Sequence, residues 1–250
     1  MEDELIMIIL NQIIDILLYV AVFPVVLWLR KIYAKDKEPE SRGFLRSLVI
    51  SGVFSSFLAV ALEYIGSNIL DYRIEENNFL KLALDNYIVV GISEELSKYI
   101  FLYNKTWNSR EFNYTFDGTI YGLSVSLGFA LIENIQYVFS YGIATGISRA
   151  IMSIPGHAAF GVMMGSWYGL SKKYDANQQY TKSILCKFFS LIIPILMHGT
   201  YDLLLTIGTG LTNIFALLLV AVCYLILSKM TTELSENDEP ITYGLKGWNF

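Results

Sequence analysis

The chain is divided into apolar stretches separated by short polar connections, and each stretch is close to the roughly 20 residues a helix needs to cross a bilayer. They fall at 8–29, 46–69, 86–103, 118–141, 148–170, 184–207 and 211–228. In lipid a backbone must satisfy its own hydrogen bonds, so segments of this length fold as helices. The sequence therefore predicts an all-α, polytopic transmembrane bundle of about seven spans. Composition agrees: 54% of the 250 residues are hydrophobic and only 16% are charged, against about 25% charged in soluble domains. Asn11, Gln12 and Asp15 interrupt the first stretch, and Pro24 lies near its end. The acidic start (Glu2, Asp3, Glu4) and the lack of a small-residue cleavage site make that stretch an anchor rather than a removable signal.

Lysine and arginine positions set the expected orientation, because short loops rich in them stay cytoplasmic. The 30–46 connection carries Arg30, Lys31, Lys35, Lys37, Arg42 and Arg46. Lys105 and Arg110 follow the third stretch, and Lys172, Lys173, Lys182 and Lys187 lie around the connection after the fifth. The opposite side has only Arg73, Lys81 and Arg149. This alternation predicts the N-terminus outside and the C-terminus in the cytoplasm. Residues 1–228 read as one membrane domain, and the polar, acidic segment 229–250 reads as a disordered cytoplasmic tail. A basic nucleic-acid footprint is absent.

Six ionisable residues interrupt the apolar pattern: Glu94, Glu95, Glu133, His157, His198 and Asp202. A charged side chain at the centre of a spanning helix costs on the order of 2.5–3.5 kcal/mol even on lenient scales. Their depths coincide. Glu94 lies nine residues in from Asp85, Glu133 nine before Gly142, His157 eight in from Arg149, and His198 ten before Gly208. At about 1.5 Å rise per residue, each sits roughly 12–15 Å below the outer surface. Spacing also gives their facing. His157, Gly161, Gly165 and Gly169 recur every four residues, as do Gly118, Gly122, Ser126 and Ala130, and Pro194, His198 and Asp202. Small residues at that spacing let helices approach closely in lipid, so these stripes point inward and carry the polar groups with them.

A carboxylate in low dielectric beside another is tuned toward general acid–base work. Glu94 and Glu95 are adjacent and splay about 100° apart on a helix, so one of them faces the reacting water. Lys98, one turn further on, either moderates their charge or snorkels to the interface, and reads as structural. His157 and His198 could bind a metal with Glu133 or Asp202, a mixed His/carboxylate set of the kind zinc uses. They could equally hold a water and the developing oxyanion without a metal. HExxH, GxSxG and GxGD signatures are missing, and Cys186 and Cys223 stand alone, so serine, cysteine and paired-aspartate chemistry have no support. Asp117 and Arg149 read as anchors at span ends, and Glu63 is left unassigned. Tyr121, Asn134 and Tyr201 are explained equally by packing and by hydrogen bonding in the site.

EELSK at 94–98, DGTIYGLSVSLGFALIEN at 117–134, GHAAFGVMMG at 156–165 and MHGTYD at 197–202 together resemble the PrsW family of bacterial intramembrane proteases. PVVLWLRKIYAKDKEPE is similar to that family's first span and basic loop, and the likeness runs from about Pro24 to Thr206. The resemblance implies a multi-pass peptidase of the bacterial cytoplasmic membrane. It would make the first cut in a membrane-anchored anti-sigma factor and so start a stress response. A more distant likeness, to the CAAX-protease and bacteriocin-processing superfamily, implies that Glu94 activates water together with His157 while His198 and Asp202 steady the oxyanion. The position of Asp202 is often Asn there. PrsW proteins are grouped as metalloproteases and the wider superfamily includes a metal-free glutamate mechanism, so zinc and no metal both follow. A proton- or cation-coupled transporter is the competing class, since membrane-buried Asp, Glu and His also mark ion paths. It lacks the internal repeat such carriers show. A bis-histidine haem protein is disfavoured by four nearby carboxylates.

Overall fold

The structure, a computed structural model, describes residues 2–74 and 79–242. Among them the fold is all-helical. α1 (Glu2–Leu17) passes through a π-helical turn into α2 (Phe23–Tyr33), and Pro24, which has no N–H to donate to the preceding turn, lies just after that π-helical turn. α3 (Arg42–Arg73) starts at Ser41, whose hydroxyl accepts from the Phe44 N–H at 3.3 Å. α4 (Phe79–Leu84), a π-helical segment (Asp85–Ile92) and α5 (Ser93–Thr106) form one continuous run. α6 (Thr115–Tyr141), α7 (Ile143–Ile151), α8 (Ser153–Ala176) and α9 (Tyr180–Ile207) follow. α9 ends at Gly208, which has φ +64°, the left-handed turn that glycine allows. α10 (Gly210–Leu225) runs through a further π-helical turn, Ile226–Met230, into α11 (Thr231–Glu236).

Among the described residues, five runs are long and apolar enough to cross a membrane: Asn11–Tyr33, Arg42–Arg73, Thr115–Tyr141, Tyr180–Ile207 and Gly210–Glu236. The other two expected spans, 86–103 and 148–170, are helical but too polar for that test. The first carries Glu94, Glu95 and Lys98. The second, α8, is rich in Gly and Ser and carries His157, which is tolerated because neighbouring helices bury most of it. Its start also differs from the expected residue 148. The helix breaks at Met152, and α7 is a separate helix with Ile143, Ile147 and Ile151 exposed along one face. Large apolar side chains are likewise exposed on α3 (Phe54, Phe57, Ile65), α9 (Ile184, Phe188) and α10 (Leu211, Leu218), a surface that lipid rather than water would cover.

α6 is the axis of the bundle, with most of its length buried. α3 packs on it where Gly52 meets the Val125 carbonyl and Gly128 meets that of Val49; a Cβ at either would lie 2.0 Å from the oxygen. α8 packs through two interlocking small stripes, Gly118 and Gly122 against Gly161, Gly165 and Gly169. These are the stripes read from the sequence, and they face each other.

Two expectations change at the end of the bundle that carries the basic loops. The segment from 229, expected to be disordered, is helical through Glu236 and docked as far as Ile241; residues 243–250 lie outside the described residues. Lys35 Nζ donates to the Ser228 carbonyl at 2.8 Å and the Thr231 hydroxyl at 2.5 Å. Asp238 accepts from the Phe116 N–H at 2.8 Å, and the Ile241 N–H donates to the Asn113 carbonyl at 2.7 Å. Burial of Thr231, Ser235 and Ile241 supplies what an acidic composition alone hides. Asp117 is not a lipid anchor. Its buried carboxylate accepts from the Asn113 and Tyr114 N–H groups at 2.9 and 2.7 Å and so caps α6.

Tyr121 also belongs to this end, where its hydroxyl donates to Glu40 in the 34–41 loop. Burial, with Glu111 beside it, pushes the Glu40 carboxyl up to about 8. A raised carboxyl pKa means that the folded state holds a proton the unfolded state releases, so stability is lost as pH rises from about 4.5 through about 8. Glu40→Gln is expected to melt above wild type at pH 9 and to lose that advantage at pH 5. Parallel melting curves at both pH values would disprove the assignment.

Candidate active site

The six ionisable groups meet at the opposite end, with Glu94, Glu95, His157 and His198 buried and Glu133 and Asp202 partly exposed. A π-helical segment leads directly into α5, where Glu94 and Glu95 stand one turn before Lys98; insertions of this kind are frequent beside functional residues. Lys98 does not snorkel. It is fully buried, with Nζ 3.1 Å from Glu94 Oε2, 2.7 Å from Glu95 Oε1 and 3.3 Å from His157 Nδ1. The face of Phe129 lies 4.0 Å beneath the ammonium, a favourable cation–π placement. The other nitrogen of His157, Nε2, lies 2.8 Å from Glu133 Oε2 on α6. On α9, His198 Nδ1 lies 2.8 Å from Glu95 Oε1, and its Nε2 lies 3.2 Å from Asp202 Oδ2. The two imidazoles stand edge to face with centroids 5.2 Å apart, and Phe160 stacks on His198 at 5.2 Å. Each histidine thus has an outer carboxylate on one nitrogen and turns the other toward α5.

A cavity of about 520 Å³ opens against this cluster, lined by Glu94, Glu133, His157, His198, Asp202 and Tyr201 among others. Glu95 and Lys98 are not in its lining. The splay of adjacent residues on a helix therefore separates the two glutamates: Glu94 faces the cavity, and Glu95 is enclosed behind it by Lys98 and His198. A cavity of this size falls in the range of small-ligand sites, and here it would admit a short length of extended chain.

Sequence reasoning missed Arg149. Read as an interface anchor, it turns inward, with one guanidinium nitrogen 2.8 Å from Glu133 Oε1 and Nε donating to Asn134 Oδ1 at 3.2 Å. The signal was present: Ile143, Ile147 and Ile151 recur every four residues, which puts Arg149 on the opposite face of α7. Asn134 donates in turn to the Val20 carbonyl at 2.9 Å. Tyr121, by contrast, lies at the far end of α6 and contributes nothing here. Glu63, half-buried on α3, is within electrostatic range of Glu133, Lys98, His198 and Asp202 but is not among the lining residues.

Arg149→Gln is expected to slow cleavage roughly 10–100-fold, because losing one partner of a buried charged group costs about 1–3 kcal/mol and 1.36 kcal/mol is tenfold in rate. Steady-state proteolysis checks this. Unchanged cleavage would mean that Glu133 orients His157 without help.

A bundle of spanning helices with carboxylates and histidines buried at a cavity defines a membrane-embedded protein with a hydrolytic type of site. Residues 40–228 match the sequence profile described as PrsW family intramembrane metalloprotease. The chain belongs to this family and is an intramembrane protease, a hydrolase of peptide bonds. Protease PrsW of Clostridioides difficile is 31% identical over 222 residues, covering 87% of this chain and 89% of its own length. Protease PrsW of Geobacillus kaustophilus is 31% identical over 190 residues, 76% and 79% of the two chains. That of Bacillus subtilis is 36% identical over 121 residues, 48% and 54%. No solved structure matches. Family membership favours the peptidase over the transporter reading.

The family description implies a metal ion. Glu94, Glu95, His157 and His198 each offer a ligand atom within 4.8 Å of the others, and the donor types suit zinc. Three of those four residues, however, already share the Lys98 ammonium at hydrogen-bond distance. As arranged, the set does not accept a divalent ion, and no step below passes through one.

Proposed function

We propose that this chain cuts a single-span membrane protein near the outer face of the bacterial cytoplasmic membrane, and that the substrate is an anti-sigma factor released in the first step of a stress cascade. The reading is carried by the position of Glu94: a buried carboxylate at the cavity wall between two histidines. The substrate class rests on the family resemblance. The proposed orientation, with the N-terminus outside, is supported by the cavity lying at the end of the bundle away from the lysine- and arginine-rich loops.

In this mechanism Glu94 takes a proton from a water beside it at the cavity wall that His157 also lines, and the oxygen attacks the scissile carbonyl. When substrate enters, His198 Nε2 exchanges its contact with Asp202 for the carbonyl oxygen and meets the negative charge that develops there. As the C–N bond breaks, the same proton passes from Glu94 to the leaving amine. Glu95 does not touch the reacting atoms; it holds Lys98 and His198 in place. Glu133, tied to Arg149, orients His157.

The test is cleavage of a tagged single-span anti-sigma factor from the same cell in reconstituted proteoliposomes, comparing wild type with the Glu94→Gln/Glu95→Gln double variant. A new fragment with wild type alone is expected. Equal cutting by both would sink the mechanism, and cutting by neither would remove this substrate.

A further inference from the structure

We propose that the ammonium of Lys98 is the resident cation of this site, holding the place among Glu94, Glu95 and His157 that a divalent metal ion would otherwise take. The ammonium has three N–H donors and three acceptors around it: Glu94 Oε2 at 3.1 Å, Glu95 Oε1 at 2.7 Å and His157 Nδ1 at 3.3 Å. Its donor capacity is therefore filled. Those distances are hydrogen-bond lengths, well beyond the roughly 2.0–2.2 Å of zinc to nitrogen or oxygen. The fourth member of the donor set is engaged as well, since His198 Nδ1 lies 2.8 Å from the same Glu95 Oε1.

The lysine has no easy way out. Its side chain has no exposed surface, and the ring of Phe129 lies against the ammonium, with its centroid at 4.0 Å. An ammonium withdrawn from the three acceptors would be left as an unpaired charge in an apolar interior, which is costly. Lys98 is also tethered on the same helix as both glutamates, three and four residues away. A metal ion from solution must therefore displace an intramolecular competitor whose effective concentration is fixed by the fold. The chemical consequence is local. A single fixed positive charge holds Glu95 enclosed and steadies Glu94 at the cavity wall, so the base is positioned by a side chain rather than by an exchangeable ion. This consequence, though not the placement of the ammonium itself, rests on the reading of Glu94 as the base.

The experiment measures zinc directly and cleavage separately. Purified full-length chain in detergent is stripped with chelator and titrated with Zn²⁺ by calorimetry, with metal content read by mass spectrometry, for wild type and for Lys98→Met. Wild type is expected to take up no stoichiometric zinc and to cut substrate equally before and after chelation. Lys98→Met, which keeps the length of the side chain without its charge, is expected to bind one equivalent at least about 100-fold more tightly than wild type, the order gained when an intramolecular competitor is removed. One tightly held zinc per wild-type chain, lost together with cleavage on chelation, would overturn the proposal. So would a Lys98→Met chain that binds zinc no better than wild type. If that variant does not fold, the wild-type titration decides alone. If wild type fails to cut any substrate while the zinc pattern holds, the mechanism around Glu94 fails and the assignment of Lys98 stands.

Discussion

Glu94→Gln is expected to lower substrate cleavage about 10²–10⁴-fold, the contribution of a positioned general base, while leaving the melting temperature close to that of wild type. Gln keeps an oxygen that can accept from Lys98, and the side chain borders a cavity rather than packed protein. Glu95→Gln should behave differently. Glu95 Oε1 serves both Lys98 Nζ at 2.7 Å and His198 Nδ1 at 2.8 Å, with no exposure of either the Glu95 or the Lys98 side chain. Removing one partner of such a buried pair costs about 3–5 kcal/mol, so this variant should unfold at a clearly lower temperature and lose activity with its structure. Thermal unfolding and proteoliposome cleavage, run on both single variants, separate the two roles. Equal losses of stability would show that the carboxylates are not divided into one at the cavity and one behind it.

Gly165→Ala tests the frame that brings those groups together. A methyl group there would lie 2.1 Å from the Gly118 carbonyl oxygen and 2.7 Å from the Thr119 Cα. Both are backbone atoms, so no rotamer change relieves the clash and α6 and α8 must separate. Overpacking of this kind costs about 1–3 kcal/mol, occasionally more. His157 lies two turns toward the start of α8, and its carbonyl accepts from Ser126 of α6 at 2.6 Å. Separation of the helices therefore pulls His157 from Glu133, and cleavage should fall along with stability. Gly43→Ala, with nothing within 4 Å of the added carbon, is the control and should melt no lower than wild type. A Gly165→Ala chain with wild-type melting and cleavage would mean that the seam gives way without moving the site.

Much of this site can be read in the linear sequence because lipid makes the signal strong. An ionisable side chain in a spanning segment is expensive unless it is paired or used, so Glu94, Glu95, Glu133, His157, His198 and Asp202 stand out against their apolar neighbours. Their common depth, and the four-residue stripes that place them on facing surfaces, also follow from helix geometry alone. Arg149 and the tail were not legible in the same way. Arg149 sits where a span end and a short separate helix look alike, and the break at Met152 depends on how α7 packs. The tail is polar by composition, and its order comes from groups more than 100 residues distant, such as Asp238 on the start of α6.

Periodicity and transfer cost act locally along the chain, so the linear pattern suffices to locate the helices, with the ionisable residues that stand out within them, and the five most apolar runs. Which glutamate meets the cavity and what occupies the centre of the cluster emerge only when the helices pack. Those outcomes are set by contacts between α5, α6, α7, α8 and α9 that no single segment contains. The same heptapeptide-scale pattern would be compatible with either glutamate facing inward and with Lys98 at the interface. Only the packing of Phe129, His157 and His198 around α5 encloses Glu95 and fixes the Lys98 ammonium among the acidic groups.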